Sequence, residues 1–285
     1  MDRYHFSGVE PAETDLPAGL IAALEKVGAG ETARVGELAA RIIARSPAPG
    51  AGYQPLCFVL EQGAQQQADL AALSHLAEPY ARPHEDDAAF YAKPRLADHL
   101  DVTAQAVWRE FTGRFVLEGM RVLDLMASHD SHLPDTCRPS RLVGLGMNAA
   151  ELAANRQLSE SLVHDLNAEP RLPFAEDSFD LVLCALSIEY LVRPEAVLRE
   201  VGRVLKPGGR CVVSFSERWF PPKAVAPWPK LPPFARVAWV LRHFMRAGFV
   251  DLQTESLRGL PRPANDPYAR QTPLADPLYA VWGTR

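Results

Sequence analysis

From Gly119 onward, short apolar runs alternate with amphipathic stretches, and this alternation is the feature that most constrains the fold. Arg121–Leu125, Arg141–Leu145, Ser161–Val163, Phe179–Ala185 and Arg210–Phe215 read as strands. Phe179–Ala185 is apolar at nearly every position, as a central parallel strand covered on both faces should be. Between them, Ala149–Leu158 reads as a helix with Asn148 as N-cap and Glu151 three residues on, the spacing of a capping box. Pro194–Leu205 reads as a second helix, with proline in its first turn and Pro207-Gly208-Gly209 after its end. Alternating strands and helices predict a parallel sheet with helices on both faces. Six of the thirteen residues from Pro221 to Pro233 are proline, which excludes a central strand or long helix there and predicts an extended loop. A helix over Arg236–Met245, a strand over Val250–Leu257, a second proline-rich loop over 258–276 and a strand over Leu278–Trp282 follow. Strand, long loop, strand suits an antiparallel hairpin at the sheet edge.

The upstream part reads differently. Leu20, Ala23, Leu24 and Val27 recur at helical spacing, as do Val35, Leu38, Ala39 and Ile42-Ile43, then Leu70, Leu73, Leu76 and Ala77. Leu56–Leu60 fits a short buried strand or the start of a helix, and Pro47, Pro49, Gly50 and Gly52 break the region. Residues 80–118 read as a bridge: Glu85–Tyr91 is acidic and aromatic, and Leu96–Phe115 predicts a helix with Leu96, Leu100, Ala104, Val107, Trp108 and Phe111 on one side. The expected division is a mainly helical accessory or lid region over 1–118 and a Rossmann-like domain over 119–285.

Charge and cysteines narrow the function classes. Lys and Arg number 30 against 35 Asp and Glu, a net charge of −5, whereas non-specific nucleic-acid binders are usually basic. No apolar run approaches the roughly 18 residues of a membrane-spanning helix, and Met1-Asp2-Arg3-Tyr4-His5 does not begin a signal peptide. Cys57, Cys137, Cys184 and Cys211 form no CxxC pair, which favours reduced thiols over a zinc or redox motif. The expected location is cytoplasmic, with no nucleic-acid or membrane partner.

The second half resembles the class I S-adenosylmethionine-dependent methyltransferases. Val122-Leu123-Asp124-Leu125 is similar to that family's first strand and Leu142-Val143-Gly144-Leu145 to its second. Asp165-Leu166, Leu172-Pro173-Phe174 and Asp177-Ser178-Phe179-Asp180 are similar to its stretch before strand four. Glu200 to Gly209, reading EVGRVLKPGG, is similar to its stretch before strand five. Leu145-Gly146-Met147-Asn148 and Ser214–Pro221 resemble a methyltransferase-type-11 branch. The resemblance implies a doubly wound, mostly parallel seven-stranded α/β sheet in the order 3-2-1-4-5-7-6, with strand seven antiparallel.

It also implies a site and two departures from it. The family follows strand one with a Gly-x-Gly-x-Gly turn, but this chain has Met126-Ala127-Ser128-His129-Asp130. The family usually ends strand two with an acid that holds the ribose, where this chain has Gly146, then Met147 and Asn148. By resemblance S-adenosylmethionine would meet Asp124, Met126, Ser128, Gly146, Met147, Asn148, Asp165, Leu166 and Ala185. Asp165 would accept from the adenine amino group, and Asn148 would hold a ribose hydroxyl. His129, His132 and Glu189 are the candidate bases, and Tyr190, Arg218 and Trp219 the candidate acceptor contacts. The run His129-Asp130-Ser131-His132, with Asp135 and Cys137, carries metal-capable side chains, but no second ligand cluster supports a metal. The expectation is methyl transfer to a small-molecule acceptor. The alternative is a non-catalytic methyltransferase-like scaffold or regulatory subunit, and a homodimer or a protein partner is compatible with either.

Overall fold

The computed structural model describes residues 3–4, 60–61, 76–84, 86–231, 233–260, 262, 265–266, 269–270 and 273–285. The helical stripes expected between Leu20 and Leu73 lie outside the described residues. In that part of the chain, an antiparallel pairing of Arg3–Tyr4 with Leu60–Glu61 is described.

Seven strands form one sheet: β1 (Arg121–Leu125), β2 (Arg141–Gly146), β3 (Glu160–Val163), β4 (Phe179–Ala185), β5 (Leu205–Phe215), β6 (Val250–Leu257) and β7 (Leu278–Thr284). Their order is β3-β2-β1-β4-β5-β7-β6. Neighbours are parallel except β7, which runs antiparallel to both β5 and β6. This is the order, with an antiparallel seventh strand, that the family resemblance implied. Among the described residues, five α-helices accompany the sheet: α1 (Asp87–Tyr91), α2 (Val102–Gly113), α3 (Ala149–Ala154), α4 (Pro194–Val204) and α5 (Pro233–Ala247).

The two-residue period of the strands divides the core into two clusters. Leu123, Val143, Val182 and Val213 face α4 and α5, where Val197, Val201, Val240 and Phe244 are buried. Val122, Leu142, Leu183 and Val212 face α2, where Ala104, Trp108 and Phe111 are buried. Trp108 is fully buried, and its indole N–H donates to Ser214 Oγ at 2.9 Å. Part of the segment upstream of Gly119 thus packs directly on the sheet.

The largest boundary differences from the sequence expectation are in α2, α3 and β5. Helix α2 starts at Val102 rather than Leu96, because Asp101 caps it, accepting from the Ala104 N–H at 3.0 Å. The same carboxylate accepts from the Asp276 N–H at 2.6 Å, so the cap is pinned to the C-terminal loop. Helix α3 stops at Ala154, where Asn155 turns to ψ 99°. Strand β5 begins at Leu205 and includes Pro207-Gly208-Gly209, with Gly208 at φ +78° and a shift in register against β4. Among the described residues no helix is long and apolar enough to cross a membrane. Cys184 and Cys211 are buried free thiols.

Candidate active site

A cleft of about 1130 Å³ of open space lies at the carboxyl ends of β1, β2 and β4, where the strand order reverses. That is where an open parallel sheet binds its ligands. Asp124, the fourth residue of β1, lies at its floor and is 4% exposed. Its Oδ2 has no hydrogen-bond partner. Burial pushes its pKa up to about 7, Ser131 partly offsets that, and Asp130 adds to it.

The chain leaves β1 through Met126 at φ +61°, a left-handed conformation ordinarily given to glycine. Side chains from neighbouring elements fasten the loop that follows. Ala127 N–H donates to Leu145 O at 2.8 Å, and Ser128 Oγ donates to Glu151 Oε2 at 2.7 Å. Asn155 Nδ2 donates to Ser128 O at 3.0 Å and to Ser131 Oγ at 2.9 Å. Gln157 accepts from Ser131 N–H and donates to Leu133 O. Arg109 pairs with Asp130 at 2.6 Å. Residues 126–140 contain no helix, consistent with Pro134 and Pro139 among them.

The two departures from the family pattern are connected. A Cβ on Gly146 would stand 2.2 Å from Ala127 O, an impossible approach. Glycine has moved from the turn after β1 to the end of β2, and the backbone of residue 127 occupies the space it frees. No acid can stand at that position, but Glu151, in the first turn of α3, brings a carboxylate to the cleft. Its Oε1 accepts from the Arg95 N–H at 2.7 Å. Glu151 therefore does not close a capping box on Asn148. It ties the loop after β1 to the 92–101 segment.

The predicted cofactor residues Asp124, Met126, Ser128, Gly146, Met147, Asn148, Asp165, Leu166 and Ala185 all lie along this cleft. Asn148 is corrected in role. Its Oδ1 accepts from the Ala150 and Glu151 N–H groups, and its Nδ2 donates to Tyr91 O and Ala92 O. Both lone pairs and both protons are used, so the side chain is a helix cap and a clamp rather than a free ribose ligand. Asp165 Oδ1 accepts from the Asn167 and Ala168 N–H groups in a tight turn.

Among the candidate bases, His129 and His132 line the cleft. His129 Nε2 lies 3.7 Å from Asp98 Oδ1. Burial lowers the His132 pKa, against the opposing charge of Asp130. Glu189 is corrected: it is fully buried, lies off the cleft surface, and neither side-chain oxygen has a partner. Burial pushes its pKa up to about 8, so the carboxyl is mostly neutral at pH 7, and it stands away from the cleft where a base would be needed.

Tyr190, Arg218 and Trp219 come together in a second cavity beside the cleft. Arg218 Nε is held by Asp276 at 2.8 Å, and the Arg236 guanidinium lies 4.4 Å over the Trp219 ring. The sequence reading missed the cleft's other wall. Asp87, Tyr91, Arg95, Asp98 and His99 line it from the bridge segment. That wall is anchored by a buried network in which Arg82, Lys223 and Asn167 all reach Asp87. Burial raises the Asp87 pKa, but these three contacts outweigh it and hold the carboxyl below its usual value. The acidic-aromatic composition of Glu85–Tyr91 was the available signal.

Residues 128–213 match the family model described as a methyltransferase domain. Over those residues the chain is similar to that family. The chain is 33% identical over 120 residues to a demethylmenaquinone methyltransferase of Clavibacter sepedonicus, covering 40% of this chain and 49% of that protein. It is 30% identical over 135 residues to a ubiquinone/menaquinone biosynthesis C-methyltransferase of Laribacter hongkongensis, covering 42% and 53%. The chain thus spans about half the length of these curated relatives. Among solved structures, an S-adenosylmethionine-dependent methyltransferase from Archaeoglobus fulgidus aligns at 14% identity and a TM-score of 0.46, covering 64% of this chain and 93% of that one.

Proposed function

We propose that the chain transfers a methyl group from S-adenosylmethionine to a small-molecule acceptor. The observation that carries this reading is Asp124, a buried carboxylate with an unpaired oxygen on the floor of a cleft at the strand switch point. The donor set fits the cofactor chemically. Asp124 suits the ammonium of the amino-acid end, and the Met126–Ser128 backbone would run beside it. Glu151 supplies the carboxylate for the ribose hydroxyls that the end of β2 lacks, and Asp165 and Leu166 suit the adenine edge and face.

Bound S-adenosylmethionine supplies an electrophilic methyl carbon on a sulfonium. The protein's part is to hold the acceptor in line and exclude water. Ala185, Leu186 and Ser187 leave β4 at the centre of the cleft. Leu186 is held at φ +53° by its N–H bond to Ser214 O at 2.8 Å, which fixes this wall. Tyr190 and Phe220 stack 5.9 Å apart at the boundary with the second cavity. A flat apolar wall suits a planar acceptor. The quinone-related names of the curated relatives support a ring acceptor of that kind.

Titration calorimetry with S-adenosylhomocysteine tests the reading. One-site binding is expected, weakened about tenfold by Asp165→Ala, the loss of roughly one good hydrogen bond to a charged group. Affinity should rise from pH 6 to pH 8, because Asp124 must ionise through its pKa of about 7 to pair with the ammonium. No binding at millimolar ligand would support the non-catalytic scaffold.

A further inference from the structure

Four histidines line the cleft: His99, His129, His132 and His164. Only His99 among them also lines the adjoining cavity, so one imidazole stands where the two spaces meet. Leu186, Tyr190 and Phe220 share that position, and none of them is a base near neutral pH. The His99 ring sits edge-on to Phe220, with centroids 5.3 Å apart. It lies on the segment between α1 and α2, with part of the residue open to solvent.

The charges in the second cavity indicate what the imidazole would meet. Arg218 is paired with Asp276, and Glu217 also lines the cavity, so no net positive charge awaits an anionic acceptor. A neutral hydroxyl acceptor needs a base before it can attack a methyl carbon. We infer that His99 is the proton acceptor for a phenolic ring seated against Tyr190, Phe220 and Trp219.

This rests on the proposed methyl transfer. The phenolic O–H bond breaks and its proton passes to the His99 imidazole. The freed electron pair forms the oxygen–methyl bond, and the carbon–sulfur pair returns to sulfur, giving a thioether. His99 then releases the proton to solvent. Desolvation by the surrounding protein lowers its pKa most; of the charged and titratable groups facing it, His129 and Arg95 lower it further, and Glu151 and Asp98 oppose them. The net direction is downward, so the imidazole is neutral and able to accept at physiological pH.

The probe is 4-nitrocatechol, whose absorbance changes on ionisation, added to the full chain saturated with S-adenosylhomocysteine. The wild type should ionise the bound probe with a midpoint about one pH unit or more below that of the free phenol. His99→Gln and His99→Asn should return the midpoint to the free value while S-adenosylhomocysteine still binds by calorimetry. If both variants ionise the probe as the wild type does, His99 is not the base. If S-adenosylhomocysteine binds but the probe does not, the phenolic class is wrong. If the wild type does not bind S-adenosylhomocysteine, methyl transfer itself fails, an outcome distinct from the other two.

Discussion

Gly146 and Ala127 are nineteen positions apart, and their contact explains the two residues that depart most from the family pattern. Restoring the familiar acid by Gly146→Asp would drive a side chain into Ala127 O, which a Cβ would already approach to 2.2 Å. The expected cost is about 1–3 kcal/mol, the range for overpacking, read as a fall in the thermal midpoint together with lost S-adenosylhomocysteine binding. A variant as stable as the wild type with tighter binding would contradict the account. Neither departure could be understood from sequence alone. The absence of glycine after Leu125 and the absence of acid after Leu145 were both legible, but their connection is a long-range backbone contact. Asn148 shows the same limit. Its capping role was readable from local spacing, whereas its clamp on the Tyr91 and Ala92 carbonyls was not.

At the scale of elements, the loop after β1 is held by side chains rather than by its own sequence. Asn155, the residue that ends α3, is its main fastening, with bonds to Ser128 O and Ser131 Oγ. Asn155→Ala removes both and leaves a buried carbonyl and hydroxyl in need of partners. A loss of about 1–3 kcal/mol in stability is expected, with S-adenosylhomocysteine affinity falling by about tenfold or more as the loop loosens. Chemical denaturation and calorimetry on one preparation separate the two effects. Unchanged affinity would mean the loop does not shape the site. Apart from the early start of β5 at Leu205, the strands were legible to within a residue or two, because short apolar runs bounded by Gly and Pro are a local signal. The early termination of α3 and the late start of α2 were not. Asn155 ends α3 with its side chain turned to partners far off in sequence, and Asp101 caps α2 locally while also being held by the distant Asp276 N–H.

Across the whole molecule, the parallel sheet followed from the alternation of elements and its strand order from the family resemblance, while the cleft's outer wall followed from neither, because it comes from a bridge segment with no catalytic motif. The buried Glu189 carries a consequence for overall stability. Its pKa rises from 4.5 to about 8 on burial, so the folded state favours the protonated form. That contribution is complete below the unfolded pKa and is lost as pH rises through the folded one. Between roughly pH 4.5 and 8 this group lowers stability by up to about 1.4 kcal/mol per pH unit. Glu189→Gln should therefore leave stability near pH 5 little changed and raise it above pH 8, as followed by thermal unfolding across pH. An unchanged pH profile would place Glu189 in contact with water or a partner charge. The central claim is that a glycine-free loop, fastened from outside, forms a working cofactor turn. A crystal structure of the full chain with S-adenosylhomocysteine tests it most directly. The account predicts the ligand along Met126–Ser128, with its ammonium at Asp124, its ribose at Glu151, and the Ala127–Gly146 contact intact. An empty cleft at saturating ligand, or binding that requires residues 126–133 to leave Gly146 and Asn155, would contradict it.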